Sequence, residues 1–202
     1  AESGTVIVMD PKTGAILAQA SAPTFDPNIS STITLNKLRN PAVQEVYEPG
    51  STGKVITVAA ALQEGLVTPQ SIFTIPYKMK VADEYFHDHE KHPTQRLTTT
   101  GLLAVSSNTG SIQIGQKLGK ETLYNYLRKF GIGQSTNSKL PGESAGILHP
   151  VKEWSGTSLP TIAFGQGYSL TAMQATSVFA TIANDGVRVS PSILAGVVDE
   201  SG

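Results

Sequence analysis

The sequence predicts a mixed α+β fold, on three observations. An apolar, β-branched run at 5–9 (T-V-I-V-M) is followed, across a turn-dense D-P-K-T-G, by a second extended run at 15–20. Helical character then dominates at 55–64, 98–118, 121–130 and 170–183, with 68–100 reading as short strands and loops between the first two. The chain has 202 residues, 39% of them hydrophobic and 15% charged, which is long enough to bury a core and too poor in charge for a disordered tail.

The elements follow from local chemistry. In 10–14, Pro sets φ early and Gly permits φ > 0 late, so the flanking runs form a β-hairpin. Residues 21–41, rich in Pro, Asn, Ser and Thr, read as irregular loop with one short helix. Glu48-Pro49-Gly50 breaks the chain, and Ser51 is placed to start a helix over 55–64 that Gly65 closes. That helix is apolar on nearly every side, which predicts a central, buried position. In 98–118, Gly101 and Gly110 are expected to interrupt. At 121–130, Leu123, Tyr126, Leu127 and Phe130 share one face of an amphipathic helix. Residues 131–150 read as loop, 170–183 as a helix closed by Asn184-Asp185-Gly186, and 187–198 as a weak strand or two. No repeat or low-complexity tract is present.

Composition narrows the function classes. Lys+Arg is 15 against Asp+Glu 16, a net charge of −1, so the basic excess of a nucleic-acid surface is missing. No run approaches the ~18 apolar residues of a membrane span, and the first residues do not read as a basic-then-apolar leader. The absence of cysteine removes disulfides, thiolate nucleophiles and Cys-based metal sites. A chain opening on Ala1-Glu2-Ser3 and closing on Glu200-Ser201-Gly202 is expected to be a piece of something longer.

The chemistry concentrates in Ser51-Thr52-Gly53-Lys54, an S-x-x-K at the start of a buried helix. Positions i and i+3 share a face, so the Lys54 amine can reach the Ser51 hydroxyl. A serine needs a base to become a nucleophile, and a lysine serves when burial lowers its pKa. Standing alone, the same four residues describe a helix start and a solvated lysine. A phosphate-binding loop is the rival, but G-x-x-x-x-G-K-[ST] would put glycine at Glu48 and a hydroxyl at Val55, and both fail. A second signal is Ser106-Ser107-Asn108. A hydroxyl and a carboxamide two residues apart, in a loop between helices, can bond a substrate amide and relay a proton.

Y-E-P-G-S-T-G-K followed by S-S-N-T-G resembles the transpeptidase domain of class B penicillin-binding proteins, the cell-division type. V-I-V-M-D-P-K-T-G-A-I-L-A-Q-A-S, L-R-K-F-G-I-G, L-P-G-E-S-A-G and A-F-G-Q-G-Y-S-L-T agree with it in order, so the likeness covers essentially the whole chain. W-S-G at Trp154 and I-A-N-D-G-V-R-V look closest to actinobacterial members. The resemblance implies an α+β (α/β sandwich) fold of the penicillin-binding protein/serine β-lactamase type. That fold has an antiparallel sheet flanked by helices and a mostly helical subdomain, with its C-terminal strands missing here. It implies one partial transpeptidase domain over 1–202, with no cofactor and no metal.

The resemblance also implies roles. Ser51 is acylated by the D-Ala-D-Ala end of a peptidoglycan stem peptide, and by β-lactams, before a neighbouring stem's amine makes the cross-link. Lys54 accepts the serine proton, Ser106 shuttles a proton to the leaving group, Asn108 holds a substrate amide, and the Ser51 N–H is an oxyanion donor. Partners are stem peptides, β-lactam antibiotics and division-machinery membrane proteins, with no nucleic acid. The location is the extracytoplasmic face of the plasma membrane, with the anchor outside this chain. A serine β-lactamase or D,D-carboxypeptidase, or a non-catalytic penicillin-recognising sensor or binding module, remain the alternatives.

Two departures stand out. The family's third motif, K-T-G, is matched only by Lys12-Thr13-Gly14, which falls before the S-x-x-K in a hairpin turn. The genuine motif is expected beyond Gly202, and the fragment alone is expected to be inactive. Gly53 stands where many relatives carry a bulkier residue. Among other clusters, His87, Asp88, His89 and His92 read as a polar loop rather than a metal site. Gly165-Gln166-Gly167 reads as a turn beside the site rather than a phosphate loop, and Glu143 is not expected to be a deacylation base.

Overall fold

The computed structural model describes residues 3–35 and 37–196. The chain divides into two compact units: Ala1–Tyr47 with Phe130–Ile147 and Leu170–Gly202, and Glu48–Lys129 with Leu148–Ser169.

In the first unit the expected hairpin forms from β1 (Gly4–Met9) and β2 (Ile16–Ala22), antiparallel with a register shift between Val8 and Met9. Asp10 builds its turn: its carboxylate accepts from the Lys12 N–H (2.9 Å) and the Thr13 hydroxyl (2.8 Å), and its carbonyl from the Gly14 N–H (2.9 Å). Lys12-Thr13-Gly14 is therefore a turn, not a strand. The loop that follows holds one 3-10 turn, Ser30–Thr32, and leads to the short α1 (Pro41–Gln44), capped by Asn40 with Pro at its first position. The helix α7 (Ala172–Ala183) opens on a capping box in which Thr171 and Gln174 satisfy each other's backbone N–H groups. Gln174 also ties down the 131–147 loop, its amide donating to the carbonyls of Gln134 and Ala145 at 2.8 Å. Helices α1 and α7 pack on the hairpin, and Ala42, Val43 and Met173 form a core with Ile7, Ile16 and Leu140. Of the strands expected at 187–198, only a bridge between Ser192 and Ala15 is present among the described residues; Val197 and Val198 lie outside them.

The second unit is mostly helical. Its axis is α2 (Lys54–Gln63), whose Ile56, Thr57, Val58, Ala60 and Ala61 are buried. Gly65 (φ +66) ends it, with the Gly65 and Leu66 N–H groups returning to the carbonyls of Leu62 and Ala61. Two antiparallel pairs follow, β3 (Ile72–Ile75) with β6 (Gln95–Thr98) and β4 (Lys78–Val81) with β5 (Glu84–His87). Then come α3 (Thr99–Ala104), α4 (Asn108–Leu118), α5 (Lys120–Lys129) and α6 (Ser158–Ala163). Helix α2 packs on α4 and α5, and α4 on α6.

The structure corrects the expected interruptions. Gly101 and Gly110 lie inside α3 and α4, each donating to the cap of its own helix, Thr98 or Ser107. The break falls instead at 105–107, where Ser106 takes φ +56. Phe130 lies just past the end of α5, whose buried residues are Leu123, Tyr126 and Leu127. Helix α6 carries no sequence expectation, its Pro160 sitting in a first turn where no N–H is needed.

Candidate active site

Ser51 is not the cap of α2. It sits, exposed, in a 3-10 turn, Gly50–Gly53, that runs directly into the helix, and its carbonyl accepts the Lys54 N–H. The turn is built by glycines and by a second segment. Gly50 has φ +55, and its N–H donates to the carbonyl of Gly165 (2.8 Å). A Cβ at Gly165 would run into the Gly50 carbonyl, so only glycine permits that approach. Glu48 then accepts the Gly167 N–H at 2.8 Å, so Gly165-Gln166-Gly167 is a turn against the S-x-x-K segment.

Gly53 is buried for a related reason. A Cβ there would strike the Tyr168 hydroxyl oxygen and stand 3.0 Å from the Gly165 Cα and 3.1 Å from the Pro49 Cγ. Tyr168 is 2% exposed, and its hydroxyl has no hydrogen-bond partner among the described residues. Gly53→Ala is expected to cost about 1–3 kcal/mol and to slow Ser51 chemistry by shifting its turn. Removing the unpaired hydroxyl with Tyr168→Phe should be close to neutral alone and restore part of the loss in the double variant. Urea unfolding of the four proteins reads both effects.

Lys54 is 1% exposed. Its Nζ donates to both acceptors of Ser106, the backbone carbonyl and the hydroxyl, the latter at 2.9 Å. Among the described residues no hydrogen bond joins it to the Ser51 hydroxyl, one helical turn before it. The left-handed backbone at Ser106 is what turns both oxygens of one residue toward the same amine. Burial pulls the Lys54 amine down to about 8, while the Asp88 carboxylate acts in the opposite direction.

The S-x-N segment is held from its far side by Asp88, which is 6% exposed. Its carboxylate accepts from the Asn108 N–H (2.6 Å), the Thr109 N–H (2.9 Å), the Ser107 hydroxyl (2.8 Å) and His92 Nε2 (3.0 Å). An anion at the N-terminus of α4, bonded to its free N–H groups, stabilises both the helix start and its own charge. Burial pushes the Asp88 carboxyl up, but the bonds from Thr109, His92, Ser107 and Asn108 together hold it below the ordinary carboxylate range. Asn108 Nδ2 donates to the His87 carbonyl (3.0 Å), which fixes the amide and leaves its Oδ1 with no donor among the described residues.

Of the residues expected from the motifs, Lys54 and Ser106 are in direct contact, Ser51 lies one turn before Lys54 and accepts its backbone N–H, and Asn108 opens the helix that follows Ser106 and Ser107. Asp88 is the residue of this cluster that motif reasoning passed over. Its one signal was an acid among histidines, Asp88 between His87 and His89. Among the described residues, no group of three or more His, Cys, Asp or Glu is placed to hold a metal ion. Glu143, in the other unit, caps its own loop, accepting from Ser135 and Ser138 hydroxyls and from the Thr136 N–H and hydroxyl.

A buried lysine of lowered pKa, bonded to Ser106 and one turn after Ser51, on a helix packed beside an S-x-N turn, is the arrangement of the penicillin-recognising class. The chain belongs to the penicillin-binding protein transpeptidase domain family, which it matches over residues 4–201. It is 40% identical to the penicillin-binding protein PbpB of Mycobacterium tuberculosis over 203 residues, covering 100% of this chain and 30% of that protein. It is 36% identical to the peptidoglycan D,D-transpeptidase FtsI of Escherichia coli K12, covering 93% of this chain and 31% of that one. Penicillin binding protein 3 of M. tuberculosis, in its crystal structure with aztreonam, superposes with a TM-score of 0.93 at 40% identity, over 99% of this chain and 45% of that chain. The chain thus spans about a third of the length of these curated relatives. Among the described residues, no helix is long and apolar enough to cross a membrane.

Proposed function

We propose that this chain is part of the catalytic domain of a peptidoglycan D,D-transpeptidase of the cell-division type, with Ser51 as nucleophile. The observation that carries the reading is the buried Lys54 amine, lowered to about 8 and shared between the two oxygens of Ser106, one turn from the Ser51 hydroxyl. Neutral Lys54 takes the Ser51 proton as Oγ attacks the carbonyl of a D-Ala-D-Ala terminus. The C–N bond then breaks, and the proton passes from Lys54 through the Ser106 hydroxyl to the departing D-alanine amine. A second stem peptide's amine attacks the acyl-enzyme, losing its proton along the same route in reverse and regenerating Ser51. Asn108 Oδ1 is free to accept a substrate amide N–H.

β-Lactams would acylate the same serine. Stem peptides are thus the substrates, division-machinery membrane proteins the partners, and the extracytoplasmic face of the plasma membrane the site of action.

Peptide-mapping mass spectrometry of the full-length protein after incubation with benzylpenicillin tests the proposal. A long-lived adduct on Ser51, lost in Ser51→Ala, supports it. Rapid turnover points to a β-lactamase, and no adduct to a non-catalytic module.

A further inference from the structure

His92 takes no part in the proposed chemistry, yet both of its ring nitrogens are committed. Nε2 lies 3.0 Å from Asp88 Oδ2, and Nδ1 lies 2.7 Å from the Pro93 carbonyl oxygen. Both of those oxygens are acceptors, and a neutral imidazole has a single N–H to offer. The two shorter contacts are satisfied together only by an imidazolium. The Gln95 amide nitrogen, a donor that would serve a neutral Nδ1, is farther away at 3.4 Å than the Pro93 oxygen. The Tyr77 ring stands edge-on to the imidazole, with centroids 6.0 Å apart, and stacks obliquely on His87 at 5.6 Å. Asp88 is the charged group that acts on His92, and it is also the charged group that acts on Lys54.

We propose that His92 is a positioning residue for acyl transfer: as an imidazolium it holds the Asp88 carboxylate against the Ser107–Thr109 turn and offsets the charge that Lys54 feels from it. The role rests on the reading of Ser51, Lys54 and Ser106 as the reacting groups. With His92 charged, the carboxylate's pull on the Lys54 proton is weakened, so Lys54 gives up that proton at lower pH. When His92 is neutral, the full carboxylate charge acts, and Lys54 keeps its proton longer. The carbonyl of Pro93 first, then Asp88, raise the His92 pKa above 6.5, so the charged form persists toward neutral pH and is lost as pH rises through the raised value.

The test compares the second-order rate of Ser51 acylation by a fluorescent penicillin in full-length wild-type protein and in His92→Gln, from pH 6 to pH 9.5. Glutamine can still donate to Asp88 but is neutral at every pH. At pH 6 the variant should be slower by about threefold, the equivalent of about half a pH unit at Lys54, and the gap should close toward pH 9.5. A ratio that stays constant across the range, at one or at any other value, overturns the proposal, because a merely structural role gives that result. A second readout needs no variant: nitrogen NMR of the wild-type ring should place the His92 midpoint above 6.5, and a midpoint at or below 6.5 overturns the imidazolium. Failure of wild-type Ser51 to label at all defeats the acyl-transfer reading and this role with it, whereas labelling with a constant ratio defeats this role alone.

Discussion

Replacing Lys54 with methionine is expected to lower the rate of Ser51 acylation by about 10²–10⁴-fold, the usual worth of a positioned general base, while the protein still folds. Methionine keeps the length of the stem in a site that is 1% exposed, and it removes a charge that burial disfavours. The cost is that the two Ser106 oxygens lose their donor.

The same residue predicts a pH dependence of stability. In the unfolded chain Lys54 titrates near 10.5, and in the folded protein near 8. Between those values the unfolded chain binds more protons, so the folded state gains stability as pH rises. Relative to Lys54→Met, wild-type stability should therefore climb by about 3 kcal/mol from below pH 8 to above pH 10.5. Paired urea titrations at pH 7 and pH 10.5 check this, and an unchanged difference between the two proteins contradicts a buried lysine of lowered pKa.

Replacing Asp88 with alanine should be the most damaging change to the fold of the second unit. The substitution strands the Asn108 and Thr109 N–H groups and the Ser107 hydroxyl, all formerly bonded to one buried carboxylate. The loss expected is about 3–5 kcal/mol. Because the carboxyl is held below its ordinary range, its contribution is present above the unfolded value and disappears as pH falls through the folded one. The gap between wild type and Asp88→Ala should thus be full at pH 7 and shrink below about pH 4. Asp88→Asn separates charge from shape: it keeps an acceptor, removes the pull on the Lys54 proton, and should move the rise of acylation with pH to lower pH. A rise that moves upward in Asp88→Asn contradicts the electrostatic link between the two residues.

The parts of the fold written in neighbouring residues were legible from sequence. The hairpin turn is dictated by Asp10, Pro11 and Gly14, and the end of α2 by Gly65, because each device acts over a few residues. Lys54, Ser106 and Asn108 were legible as motif positions; the structure bonds Lys54 to Ser106 and places Asn108 at the start of the helix that follows. What failed depended on distant partners. The helix break was expected at Gly101 and Gly110 but occurs at Ser106, whose strained backbone is held by Lys54, 52 residues away, and flanked by the Asp88 clamp. Ser51 was expected to start a helix and instead occupies a 3-10 turn, because Gly50 is bonded to Gly165. Asp88 read as one acid in a polar loop, since a carboxylate's burial and its four donors leave no local pattern. Gly53 read only as a departure from the bulkier residue many relatives carry; its meaning lies in Tyr168, whose hydroxyl occupies the space a Cβ would need.

The pH profile of Ser51 acylation in the wild-type protein tests the central claim most directly. If neutral Lys54 is the base, the second-order rate rises about tenfold per pH unit at low pH, less steeply where His92 titrates, and levels off above about 8. A rate that is flat from pH 6 to pH 9.5, or an adduct on any residue other than Ser51, would contradict it.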